Sequence, residues 1–240
     1  MKTLRPQKSI AGHTLSNTAI KALLGAAAFG AGLALTLLAA SPAKAATGNP
    51  EAAKAKVAMC IGCHGIPGYQ ASFPEVHKVP MIAGQSAAYL AAALTAYQKG
   101  DRKHPTMKGI AASLSEQDIL DLSAYYETLG KDLPAKAGKG GAPSAAVTAL
   151  LQRGNCLSCH GENLNKPIDP SYPKLAGQHG DYLYVALKAY QTQGSASMGR
   201  NNAIMAGQVK GYTHAELKQL AQYIESLGGD LKTVPQSRFK

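Results

Sequence analysis

The sequence predicts an all-α protein built as two tandem helical domains joined by a Gly/Pro-rich linker. Three observations predict it. Apolar residues recur at helical spacing in short segments that start at Ser, Thr or Asn and stop at Gly. The second half repeats the first at a nearly fixed offset. Between the halves, residues 134–146 are rich in Ala, Gly, Lys and Pro and carry no apolar periodicity, which sets the domains at 46–133 and 147–240.

The chain opens with a polar, basic stretch over residues 1–21, then an apolar, Ala/Leu/Gly-rich stretch of 19 residues over 22–40, then Ser41-Pro-Ala-Lys-Ala-Ala46. A basic head, an apolar middle and an Ala-x-Ala end read as an export signal over residues 1–45, cut after Ala45. An uncleaved N-terminal anchor is the alternative, because 19 residues approach the roughly 20 that span a bilayer. Either way the rest of the chain is exported, to the periplasm.

Asn49, Pro50 and Glu51 read as N-cap, N1 proline and early acid of a helix that runs into Cys60. Residues 65–84 are loop-like, with three glycines and three prolines. Ser86 opens a helix through Leu90, Leu94 and Tyr97, stopped by Gly100. A polar stretch over 101–106 leads to Met107 in a loop. Ser115, with Asp118 three residues on, caps a third helix through Ile119, Leu122 and Tyr126, ended by Gly130.

The second half follows the same order. Ser144 caps a helix through Val147, Leu150 and Leu151 into Cys156. At an offset of 93, Pro80 pairs with Pro173, Ala83-Gly84-Gln85 with Ala176-Gly177-Gln178, and Tyr97-Gln98 with Tyr190-Gln191. At an offset of 98, Met107 pairs with Met205, Leu122 with Leu220 and Gly130 with Gly228. Thr213 and Glu216 form a better capping box than the first copy has. The offset changes only where loops differ, so the reading is an internal duplication with three main helices per half.

Chemistry enters with a five-residue box that occurs twice, Cys60-Ile-Gly-Cys63-His64 and Cys156-Leu-Ser-Cys159-His160. The two copies use all four cysteines. Two cysteines at this spacing can add to the vinyl groups of one haem, and the adjacent histidine then reaches the iron as proximal ligand. The expectation is two covalently bound haem c groups, with His64 and His160 on the irons. A four-thiolate zinc site and a redox dithiol are the alternatives; neither needs a histidine directly after each pair.

The sixth ligand decides what such an iron does. Met107 and Met205 follow their histidines by 43 and 45 residues and occupy equivalent places. Thioether sulfur is a soft, uncharged donor that suits ferrous iron and closes the site. The two methionines are therefore the expected axial ligands, whereas Met59, Met81 and Met198 are unmatched and read as core or surface residues. His77, His104, His179 and His214 have no histidine at their repeat positions and read as surface or loop residues. Pro80 and Pro173 have two readings: carbonyls that accept the proximal histidine's ring N–H and orient it, or simple loop stiffening. Tyr89, Tyr97, Tyr182 and Tyr190 lie on a helix expected beside the haem, with packing or a propionate contact as their work.

The formal charge of +11 overstates the basic balance. Residues 1–45 hold five basic and no acidic side chains, leaving a net of +6 before any haem propionates. No basic run is interleaved with aromatics, so nucleic-acid binding has no support. Residues 46–133 carry eight basic and eight acidic side chains and residues 147–240 carry ten and six. An acidic partner would accordingly meet the second half first.

With its boxes, Pro173-Lys-Leu-Ala-Gly-Gln178 and the run from Met107 to Asp118, the sequence resembles the dihaem class I c-type cytochromes of the cytochrome c4 family. The resemblance covers residues 46–240. It implies two class I cytochrome c domains, His/Met-ligated haems, and a periplasmic electron carrier between quinol-oxidising complexes and terminal oxidases or reductases. Two departures stand out. The first half has a longer loop over residues 65–77, and it reads Pro80-Met-Ile-Ala-Gly-Gln85 where the family has Pro-x-Leu-Ala-Gly-Gln. Two rivals differ in class: the electron-accepting cytochrome subunit of a periplasmic dehydrogenase complex, with the same site chemistry, and a dihaem peroxidase, an enzyme that needs an open sixth position. Membrane association would come through the N-terminal segment or through partner complexes.

Overall fold

The computed structural model describes residues 47–236, so the export signal read over 1–45 lies outside the described residues. Asn49 caps α1 (Pro50–Ala53), its Oδ1 accepting from the N–H groups of Glu51 and Ala52. The helix expected to run on into Cys60 does not. Ala55 and Lys56 bond back only three residues, to Ala52 and Ala53, and this tighter winding separates α1 from α2 (Ala58–His64). The first box therefore lies within α2 rather than at the end of one long helix.

The loop after the box is a hairpin, with β1 (Gln70–Ala71) antiparallel to β2 (His77–Lys78). Next come α3 (Ala87–Lys99), ended by Gly100 in the left-handed conformation, and β3 (Arg102–Lys103). Two helices close the first half, α4 (Pro105–Ala112) and α5 (Glu116–Thr128). Both bonds of the Ser115–Asp118 capping box are formed. The second half runs α6 (Ala145–Arg153), α7 (Cys156–His160), a 3-10 turn at Glu162–Leu164, α8 (Gly180–Gln191), β4 (Gly199–Arg200), α9 (Ala203–Val209) and α10 (His214–Ser226). The Thr213–Glu216 box starts α10. Among the described residues no helix is long and apolar enough to cross a membrane.

Met107 and Met205 sit in short helices, not in loops. Each is the third residue of its helix, where the N–H needs a capping acceptor. His104 Nδ1 supplies it for Met107 at 3.4 Å and Asn202 Oδ1 for Met205 at 2.9 Å. Pro105 at N1 and Asn202 at the N-cap are ordinary helix starts that a loop reading passes over.

Each half buries its own core. Val57, Ile61, Leu114, Ile119 and Leu122 pack in the first; Leu150, Leu164, Leu183, Leu217 and Ile224 anchor a larger cluster in the second. The halves are laced together. β3 pairs antiparallel with β4, setting Arg102 opposite Arg200 across the boundary. The linker lies along the end of α10, where Lys136 exchanges backbone bonds with Gly229, and Lys139 and Gly140 both donate to the Ser226 carbonyl. The C-terminal tail returns to the first half: the Lys232 N–H donates to Ala83 and the Tyr125 hydroxyl to Gln236 Oε1. Gly84 permits that approach. Its φ is +80°, and a Cβ there would lie 2.6 Å from the Asp230 carbonyl oxygen.

Candidate haem centres

His64 and His160 are the last residues of α2 and α7. The Nδ1–H of His64 donates to the Pro80 carbonyl at 2.8 Å, and that of His160 to the Pro173 carbonyl at 3.0 Å. Donation from Nδ1 fixes the tautomer and leaves the Nε2 lone pair for a metal. The altered Pro-Met-Ile loop of the first half makes the same contact as the Pro-Lys-Leu loop of the second. Burial pushes both imidazoles below their ordinary pKa; the proline carbonyls pull the other way, and at His64 the neighbouring Arg102 and His104 add to the fall. Both shifts favour the neutral ring, the form that binds metal.

None of the four cysteines is paired in a disulfide, so both pairs remain available to a haem. Burial, with a smaller contribution from Cys63, pushes Cys60 up to about 11 against a lowering contact from the Tyr126 hydroxyl, and burial raises Cys156 as well. The two pairs do not converge on a four-thiolate site: among the described residues no cluster of three or more His, Cys, Asp or Glu side chains could hold a metal ion.

Both boxes, both methionines and both prolines line one continuous cavity of about 570 Å³ that runs from half to half. Its walls are largely apolar, with Leu90, Leu94 and Leu114 on one side and Leu183, Leu187 and Leu220 on the other. His77, read as a surface or loop residue, stands in the hairpin and is buried. The hairpin folds it inward, with Nδ1 on the Glu75 carbonyl at 2.8 Å and its ring against His104 and Tyr182. His104 caps α4, His179 is the N-cap of α8, and His214 is exposed in the first turn of α10.

Where the halves meet, the cavity carries a polar cluster in which the four tyrosines expected beside the haem meet two arginines that have no part in the sequence expectations. Arg102 donates to the Tyr182 hydroxyl at 2.7 Å and to Tyr89 at 3.3 Å, and Arg200 donates to Tyr182 at 3.1 Å. The guanidinium of Arg102 also lies over Tyr97, and that of Arg200 over Tyr190. Burial alone would raise the Tyr182 phenol, but the two guanidinium groups overturn that and bring it down to about 8. Tyr89, at the equivalent place, is pushed up to about 12, burial prevailing there. The signal that could have found the arginines was present, since they are separated by the same 98 residues as the methionines.

This donor set fits haem. Two like charges sit directly opposite each other at a half-buried strand pair, an arrangement that costs free energy without an anion. Neither arginine forms an ion pair among the described residues, and Arg102 Nε is buried with no partner at all. An apolar cavity with paired thiols, neutral imidazoles, thioethers and two uncompensated cations suits a flat apolar group that bears carboxylates.

Comparison with known proteins agrees. The cytochrome c family model matches residues 51–130 and again 144–228. Cytochrome c4 of Thiocapsa roseopersicina is 31% identical over 197 residues, spanning 75% of this chain and 93% of that protein. A thiosulfate dehydrogenase electron acceptor of Thiomonas intermedia (strain K12) is 31% identical over 195 residues, spanning 77% and 83%. The crystal structure of reduced recombinant cytochrome c4 from Pseudomonas stutzeri superposes with a TM-score of 0.55 at 25% identity, over 75% of this chain and all of that one. The chain belongs to the cytochrome c family as a dihaem cytochrome of the c4 type, an electron-transfer protein rather than an enzyme, with two covalently bound haem c groups.

Proposed function

We propose that the chain is a periplasmic carrier passing electrons between quinol-oxidising complexes and terminal oxidases or reductases, with one haem in each of the halves 46–133 and 147–240. Cys60 and Cys63 hold the first haem through thioether bonds and Cys156 and Cys159 the second. His64 with Met107, and His160 with Met205, would hold the two irons. A bound haem supplies a one-electron ferric/ferrous couple. The protein's residues do the rest. The proline carbonyls orient the imidazoles, the methionines would supply the second ligand to each iron, the leucine walls keep water out, and Arg102 and Arg200 would hold the propionates at the interface. The observation that carries the reading is the opening of both boxes and both methionines onto one cavity, with each histidine already turned by its proline.

The test is mass spectrometry of the native protein together with its visible spectrum. Two covalent haems, an N-terminus at residue 46, and the methionine–iron charge-transfer band from both ferric haems are expected. A high-spin haem would sink the closed-site assignment.

A second reading is supported by relatives named thiosulfate dehydrogenase electron acceptor. On that reading the chain is the electron-accepting subunit of a dehydrogenase. Co-purification of the mature protein with a dehydrogenase would favour it over a free carrier.

A further inference from the structure

Each histidine-orienting loop is held by a glutamine from the opposite half. Gln178 Nε2 donates to the Met81 carbonyl at 2.8 Å, and its Oε1 accepts the Met81 N–H at 3.0 Å. Gln85 makes the same pair of bonds to Lys174, at 3.0 and 2.9 Å. Each Oε1 also takes the N–H of the next residue in its own chain, Ser86 or His179. The two side chains are 3% and 4% exposed, so water does not substitute for them.

The register of these bonds matters. The Met81 N–H and the Pro80 carbonyl belong to one peptide group, as do the Lys174 N–H and the Pro173 carbonyl. His64 therefore donates to one end of a peptide whose other end donates to Gln178. His160 donates to a peptide held in the same way by Gln85. Hydrogen bonds in series polarise one another, so an acceptor on the N–H makes the carbonyl at the far end a stronger acceptor. A stronger acceptor at Nδ1–H makes the imidazole a more basic metal ligand, which favours ferric iron.

We infer that Gln85 and Gln178 are crossed positioning residues, each setting the proximal-ligand strength, and hence the reduction potential, of the haem in the other half. The effect passes through a single peptide group. It rests on the assignment of His64 and His160 as iron ligands. The pseudo-symmetry gives the inference its sharpest form, because the residue that tunes the first centre lies in the second half of the chain, and the reverse.

The experiment uses the full dihaem protein with Gln178→Met and, separately, Gln85→Met, each redox-titrated with the two haems resolved by NMR. Gln178→Met is expected to raise the reduction equilibrium constant of the first haem by between about threefold and tenfold, the span that one neutral hydrogen bond supports, at most ~59 mV for one electron. The second haem should stay within about twofold of the parent, well under what one such bond is worth. Gln85→Met should reverse the pattern. In the ferrous protein the Nδ1 proton of His64 should move upfield in the first variant only, a change that loosened packing would not confine to one ring. Asn at the same positions keeps an amide one methylene short; if a Met variant fails to fold, the Asn variant should show the same crossed direction with smaller size. A shift in the haem of the mutated half, equal shifts in both, or no shift overturns the relay. Haem count and low-spin spectra report separately on the ligand assignment: two normal haems with uncrossed potentials sink the relay alone, whereas a parent protein lacking histidine-ligated haems sinks the assignment beneath it.

Discussion

The two halves agree bond for bond on the histidine side and differ at the rim. His64 and His160 meet their proline carbonyls at 2.8 and 3.0 Å, and the Gly84 and Gly177 N–H groups each donate to the last helix of their half at 2.9 Å. Gln98 donates to the Ala111 and Leu114 carbonyls beneath α4, as Gln191 does to Val209 and Tyr212 beneath α9. Yet 16 residues separate His64 from Pro80, against 13 between His160 and Pro173. The extra length is the β1–β2 hairpin, and it braces the other half. Glu75 pairs with Lys188 at 2.8 Å and Lys78 with Asp181 at 3.1 Å, both on α8. The geometry that orients the metal ligand is shared by the two halves, whereas the rim differs and gives each centre its own surroundings.

The largest effect should come from exchanging the methionines. Met107→His and Met205→His replace a thioether with a more basic nitrogen and should each lower the potential of that haem on the order of 0.1 V or more, within the ~0.8 V that axial ligands span. Because the histidine sides match, the two falls should be nearly equal in spectroelectrochemical titration. A much smaller fall in one half would mean that its methionine was not on the iron, or that its rim outweighs its ligand.

The cores offer the next comparison. Leu122 is 2% exposed and Leu217 is 0% exposed, in the first and second clusters respectively. Replacing either with Ala should cost about 2–5 kcal/mol in urea unfolding. The linker lies on the second half and the tail on the first, and the glutamine bonds cross between them, so either variant should shift one shared transition. Two separated transitions would show that the halves unfold independently, and the lacing would then contribute little.

Much of this architecture was legible because its signals are local. The boxes, the Ser115 and Thr213 caps and the stop at Gly100 each occupy a few consecutive residues whose spacing states their role. Comparing the repeats extended that reach to Met107 and Met205, at the cost of missing that both stand in a first helical turn. The break over residues 54–57 left no mark, since Lys54, Ala55 and Lys56 are good helix formers and only the hydrogen-bond register changes. Arg102 and Arg200 lie in a polar stretch with no periodicity, and what defines them is a strand pairing 98 residues apart in sequence. The glutamines of the two Ala-Gly-Gln turns were visible as a repeated motif. That each serves the other half depends on how the halves dock, which no short window of sequence records.

The hairpin brace should matter less than the cores. Lys188 and Glu75 keep 28% and 41% of their side-chain surface exposed, so water already screens them. Glu75→Gln should cost no more than about 1 kcal/mol, and the loss should fade as salt is added. A larger, salt-insensitive loss would mean that the hairpin itself had come away from α8.

The smallest effect sets the two capping boxes against each other in acid. Lys56, 2.5 Å from Asp118, together with the Ser115 hydroxyl and N–H, holds the Asp118 carboxyl at about 2, down from 3.8. The Thr213 N–H holds Glu216 below its ordinary value, helped by the Thr213 hydroxyl and Arg153 against the opposing effect of desolvation. For a carboxylate whose folded pKa is depressed, the unfolded chain takes up the proton first as pH falls. The stabilisation is therefore complete above the unfolded value and drains away as pH drops toward the folded one, for Asp118 from 3.8 down through about 2. Urea midpoints measured across that window should slope for the parent and less steeply for Asp118→Asn. Glu216→Gln should flatten the curve over a window that begins higher, at the ordinary 4.5 of a glutamate. If Asp118→Asn and the parent lose stability in parallel, the first box gains nothing from its charge. The difference between the halves would then lie only in the hydroxyl caps, for which Ser115→Ala and Thr213→Ala should each cost about 1 kcal/mol at any pH.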